Sequence, residues 1–175
     1  IKNIISRVTH IASDTKNLSN AFNGCKKLSE VTLKNLKPTN MKAMFYDCSA
    51  LTTINFENLD TSNTTDMSEL FSGCSVLEIF PTNLFDTSSV KTMRMMFYTC
   101  KSLKNVNLKT FNTENVTTFA YMFYGCNILD SIDISNFDTS MASDFSHMFN
   151  GCNALTKLNL LNFIMTNAEN LNSIF

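Results

Sequence analysis

Residues Ser88–Phe111 read SSVKTMRMMFYTCKSLKNVNLKTF, and the spacing inside this stretch recurs along the chain. Its Cys100 is one of six cysteines, at 25, 48, 74, 100, 126 and 152, separated by 23 and then four times by 26 residues. Each has a phenylalanine three residues before it. A fixed period of this length marks a stack of small units, none of which buries its apolar face alone.

Alignment on the cysteines gives the unit. Seven residues before Cys100 stands Met93, four before it Met96, three before it Phe97. The same positions hold Met67, Leu70 and Phe71 one repeat earlier, and Phe119, Met122 and Phe123 one repeat later. With the cysteine these are i, i+3, i+4 and i+7, the spacing of one face of an α-helix. The spacing predicts a helix of two to three turns in each repeat, too short to persist without neighbours. All four glycines (Gly24, Gly73, Gly125, Gly151) stand one residue before a cysteine, where a left-handed cap would stop such a helix. Past the cysteine the apolar residues follow L-x-x-V-x-L, as in Leu103, Val106 and Leu108, which predicts a short half-buried strand. Phe85, Phe111, Phe137 and Phe163 close the unit. Asp86-Thr87-Ser88 and its equivalents then favour a turn.

The expected fold is therefore α/β: a right-handed leucine-rich-repeat solenoid of about six 26-residue units. Short parallel strands would form one face and short helices the other. It would span residues 15–175, truncated in a seventh unit, with residues 1–14 as an N-terminal cap or degenerate first repeat. The sequence looks like an excised or processed fragment, since it starts at Ile1 and stops at Phe175.

The repeated pattern D-T-S-x-V-x-x-M-x-x-M-F-x-x-C-x-x-L-x-x-[VIL]-x-[LI]-x-x-F resembles the BspA-like leucine-rich-repeat surface proteins over roughly residues 15–175. Repeats of this kind also occur in mycoplasma surface lipoproteins and mucosal protists. The resemblance implies a cell-surface or secreted, adhesin-like protein that binds host or extracellular proteins, and it brings no catalytic residues with it.

The net charge is −1, but the charges lie in blocks. Residues 1–50 hold eight basic and three acidic side chains, residues 51–90 six acidic and no basic. Residues 91–110 hold five basic and no acidic, and residues 111–150 five acidic and no basic. Bands of opposite sign suit either mutual support between adjacent repeats or a striped surface that sets a charged partner's register. No continuous basic stripe invites nucleic acid. No run of 18 apolar residues predicts a membrane span.

No catalytic or metal motif appears. The cysteines lie a whole repeat apart, without C-x-x-C or paired histidines, so we expect six reduced, buried core thiols and neither metal nor cofactor. Only His10 and His147 are histidines. All fifteen phenylalanines fall on positions expected to point inward. Three N-x-[ST] sequons, at Asn17, Asn63 and Asn115, match an Asn-rich chain by chance.

The expected function is a non-catalytic, adhesin-like binding module that grips an extracellular or host protein through its polar strand face. Positions five, seven and nine past each cysteine should point outward there. Near the centre of that face lie Asn55, Glu57, Ile79, Asn83, Asn107, Lys109 and Asp133. A second patch, Tyr98, Tyr121 and Tyr124, should gather on the helix side. The alternative is a structural spacer presenting another domain. Pro81 should make the sheet irregular in the middle repeat, since it removes a ladder donor.

Overall fold

The computed structural model describes residues 15–80 and 84–175. Residues 1–14 and Pro81, with their expected cap and irregularity, lie outside the described residues, as does Asn83. Each repeat is one coil, and coils 1 to 6 are numbered here by Cys25, Cys48, Cys74, Cys100, Cys126 and Cys152.

The described residues contain no α-helix, so the expected α/β leucine-rich-repeat solenoid with helices on one face is overturned. The physical reason lies five residues before each cysteine. Asn20, Ala43, Glu69, Met95, Tyr121 and His147 all have φ between 51° and 59°, in the left-handed region. A left-handed residue in mid-segment breaks helical propagation and costs roughly 1–2 kcal/mol when it is not glycine. The residue before each cysteine is left-handed as well, as at Gly73 (φ 78°) and Thr99 (φ 53°). Three overlapping tight turns therefore replace the helix, the middle one closed by Tyr98 N–H donating to Met95 C=O at 3.1 Å. In the outer two, Met96 N–H donates to Met93 C=O at 3.1 Å, and Cys100 N–H to Phe97 C=O at 3.1 Å. Each of these two has its left-handed residue third of four, as type II turns require.

Alternate N–H groups reach the next coil. Met93 donates to Thr118 C=O (3.3 Å), Met95 to Ala120 (2.9 Å), Phe97 to Met122 (2.9 Å) and Thr99 to Tyr124 (2.7 Å). Coils 1, 2, 3 and 5 make the same four bonds to the following coil. The segment thus pairs its buried backbone groups without forming a helix. At the start of each segment an Asn, Asp or Thr oxygen caps the N–H two residues on, as Asp66 does for Ser68 (2.8 Å) and Asp144 for Ser146 (3.0 Å).

The expected strands form only at one end. β1 (Glu30–Lys34) pairs in parallel with β2 (Thr53–Glu57), Val31 opposite Ile54 and Leu33 opposite Phe56. In coils 4 to 6 only isolated bridges remain on this face, Asn107↔Asp133 and Ser131↔Lys157. There the side-chain oxygens of Asn107, Asp133 and Asn159 accept from the N–H groups of Lys109 (3.1 Å), Ser135 (3.2 Å) and Leu161 (3.0 Å). These local turns compete with the ladder, and the ladder lapses.

The core is a file of apolar side chains running through all coils. Phe22, Phe45, Phe71, Phe97, Phe123, Phe149 and Phe175 stack ring on ring, with centroids 5.3–6.2 Å apart and planes within 16° of parallel. Phe175 is 66% exposed and Phe56 and Phe163 are half-buried, so not every phenylalanine is inward. A second file is polar. The buried hydroxyl of Thr87 donates to Asn112 C=O (2.8 Å) and accepts from Asn112 N–H (2.8 Å). Thr61 does the same with Asp86, and Thr139 with Ile164. One side chain thus substitutes for a peptide group in the coil-to-coil ladder.

The charge blocks meet between coils. Among the described residues, five ion pairs join a lysine of one coil to an acid of the next: Lys26–Asp47, Lys34–Glu57, Lys37–Asp60, Lys104–Asp130 and Lys109–Asp133, at 2.7–4.0 Å. Exposed pairs add little stability and weaken with salt, but they favour one register of coil on coil.

Candidate functional site

Where the ladder lapses, a groove of about 790 Å³ opens across coils 4 to 6. Its floor is apolar, with Val106, Ile132 and Leu158. Its walls are polar: Asn105, Asn107 and Lys109 from coil 4, Ser131 and Asp133 from coil 5, Thr156, Lys157 and Asn159 from coil 6.

The electrostatics of the groove are uneven. The O–H and N–H of Ser135, then Lys109, hold the Asp133 carboxyl below the usual range. Lys109 reaches that carboxylate at 3.5 Å yet remains largely exposed. Lys157, also exposed, has no carboxylate within 4.0 Å among the described residues.

Of the residues expected at the centre of the face, the structure brings Asn107, Lys109 and Asp133 together. Asn55 and Glu57 lie on β2, outside the groove, with Glu57 bound to Lys34 at 2.7 Å. Ile79 is 79% exposed and does not line it. Lys157, Asn105, Ser131 and Asn159 complete the walls. They occupy the same outward register positions and were legible there, whereas Thr156 falls outside that register.

The tyrosines do gather, on a surface of turns instead of helices. Tyr98 stacks on Tyr124 (4.9 Å, 9°), and Tyr121 stacks on His147 (4.6 Å, 19°) with the Arg94 guanidinium 5.5 Å from its centroid. Burial, then the neighbouring phenols of Tyr124, Tyr46 and Tyr121, push the Tyr98 hydroxyl above its usual pKa. His147 Nδ1 is buried without a hydrogen-bond partner among the described residues. The rings largely cover one another.

All six cysteines are free, but they are not all buried. Cys48, Cys74, Cys100 and Cys126 are buried, Cys152 is half-buried and Cys25 is exposed. Each of the last five thiols donates to the phenylalanine carbonyl of the preceding coil, for example Cys100 to Phe71 at 3.2 Å. Cys25 has no such coil before it among the described residues, which corrects the expectation of six core thiols. Burial pushes Cys48 up to about 12 and Cys152 up to about 11, and raises Cys74, Cys100 and Cys126 as well. Since the thiolate is the reactive form, a maleimide at pH 8 should modify Cys25 quickly and the other five only after denaturation. Rapid labelling of several thiols in the folded protein would show that the file of cysteines is open to solvent. Among the described residues, no three His, Cys, Asp or Glu side chains converge as metal ligands, and no helix is long and apolar enough to cross a membrane.

The family model described as Mycoplasma protein of unknown function, DUF285, matches residues 15–126 and again 78–175. Overlapping matches are what a tandem repeat allows, since one pattern can be laid along the stack in more than one position. No curated protein and no solved structure matches the chain.

Proposed function

We propose, for a chain that belongs to this Mycoplasma family of proteins of unknown function, a role as a non-catalytic protein-binding module of the cell surface or the secreted fraction. Its partner is an extracellular or host protein, held by the polar face of coils 4 to 6. Surface placement follows from the resemblance to BspA-like surface proteins, a finer kinship that belongs to the same proposal.

The observation that carries it is the groove, a polar-walled concavity with an apolar floor across coils 4 to 6. The coils beneath it are tied by main-chain bonds, so little ordering accompanies contact, and rigidity lowers the entropic cost of association. The exposed Lys109 and Lys157 should speed encounter with a partner of opposite charge, and the association rate should fall as salt rises.

The test is capture of extracellular host proteins on the immobilised chain, followed by substitution. The double variant Asn107→Trp with Lys109→Glu should weaken capture of a given protein at least tenfold with an unchanged melting temperature. Replacing Tyr98, Tyr121 and Tyr124 with alanine should leave it intact. The reverse result would move the site to the tyrosine surface, and no capture by any variant would leave a spacer.

A further inference from the structure

We infer that the groove over coils 4 to 6 takes an extended peptide bearing acidic side chains; this rests on the reading of that face as the binding surface. The argument starts from which atoms point into the groove. Asn107 and Asn159 each turn their side-chain oxygen back onto their own chain, to the N–H groups of Lys109 (3.1 Å) and Leu161 (3.0 Å). That fixes the amide orientation and leaves both NH₂ groups as outward donors, without protein partners among the described residues. Lys109 and Lys157 add two ammonium groups from opposite coils of the groove. The one carboxylate between them, Asp133, is already engaged by Ser135 Oγ (2.7 Å) and N–H (3.2 Å) and by Lys109 (3.5 Å). Among the wall side chains donors therefore outnumber acceptors, which come down to Asn105 Oδ1 and the hydroxyl oxygens of Ser131 and Thr156. A ligand that fits must be rich in acceptors, and carboxylates with peptide carbonyls are the strongest such set.

The spacing selects a peptide over an acidic polysaccharide. Outward positions along one coil are two residues apart, matching the two-residue same-face period of an extended peptide, which repeats about every 6.6 Å. The groove lining contains no aromatic ring, so a pyranose finds no platform to stack on. Its apolar floor of Val106, Ile132 and Leu158 instead suits the methylene stem of a glutamate.

The experiment uses the whole chain and three fluorescent probes: a decapeptide alternating Ser and Glu, its Ser–Lys counterpart, and a chondroitin sulfate oligosaccharide. Fluorescence anisotropy should show binding of the Ser–Glu peptide alone, at least tenfold weaker for Lys157→Glu with an unchanged melting temperature. Lys27→Glu, an exposed cation on coil 1, should leave it unchanged. Equal binding of the Ser–Lys peptide, an equal loss in Lys27→Glu, or binding of the oligosaccharide in its place would overturn the inference. If no peptide binds while substitutions at Asn107 and Lys109 still abolish capture of a host protein, the acidic-peptide assignment falls and the binding role stands. If neither responds to these substitutions, both fall.

Discussion

Phe97→Ala should destabilise the protein by about 3–5 kcal/mol, the usual cost of emptying a fully packed aromatic site. Phe97 is fully buried, and its ring is held on three sides. Phe71 (6.1 Å) and Phe123 (5.5 Å) stack on its faces, and Phe80 meets it edge-on at 5.0 Å. The neighbours cannot close the gap, because each coil is fixed to the next by at least four main-chain bonds. Chemical denaturation followed by circular dichroism measures the loss. Phe175→Ala, at a ring 66% exposed, is the control and should cost far less. If the two variants melt alike, the column contributes no special packing.

Thr87→Val should be nearly as damaging, although it changes shape very little. The Thr87 hydroxyl satisfies both the C=O and the N–H of Asn112, each at 2.8 Å, and the residue is 1% exposed. Valine leaves both groups without a partner, at about 1–3 kcal/mol for each group left unsatisfied in a buried place. Thr87→Ser keeps the oxygen and loses only a methyl, about 0.8 kcal/mol. Denaturant midpoints should rank wild type, serine and valine in that order. A valine variant as stable as the serine variant would mean that water replaces the hydroxyl without penalty.

The sequence disclosed the period, the register and most of the core, because those follow from which residues are apolar and how far apart they stand. Met93, Met96, Phe97 and Cys100 are all nearly or fully buried, as their spacing requires. What it did not disclose is the backbone that carries them. Two consecutive type II turns place residues at i, i+3, i+4 and i+7 on one side much as a helix does, so hydrophobic periodicity cannot separate the two. The deciding feature is the left-handed residue five before each cysteine. In coils 3 to 5 that residue is Glu69, Met95 or Tyr121, none of which advertises a positive φ. Only Asn20 in the first coil and His147 in the sixth fit the usual preference.

The same limit applies to the candidate site. The outward positions of coils 4 to 6 were readable from alternation, and they line the groove. That the groove opens there, and not over Asn55 and Glu57, depends on the competition between side-chain turns and ladder. Asn55 lies in β2, while Asn107 in the equivalent position bonds its own chain. Residue type alone does not settle which wins. The threonine file was hidden for a related reason. Thr87, Thr113 and Thr139 read as ordinary turn residues until the coil beyond them is in place.

The bonds between coils run the same way as the column of rings, and this determines how the molecule yields to force. Tension along the stack would load one coil's few main-chain bonds at a time, so coils would peel off singly. Each intact step spans about 5.5 Å between rings such as Phe97 and Phe123. Its 26 residues, pulled straight, reach about 90 Å at roughly 3.4 Å per residue. A tether made of such coils is compact at rest and holds a large reserve of slack, released in equal instalments under load.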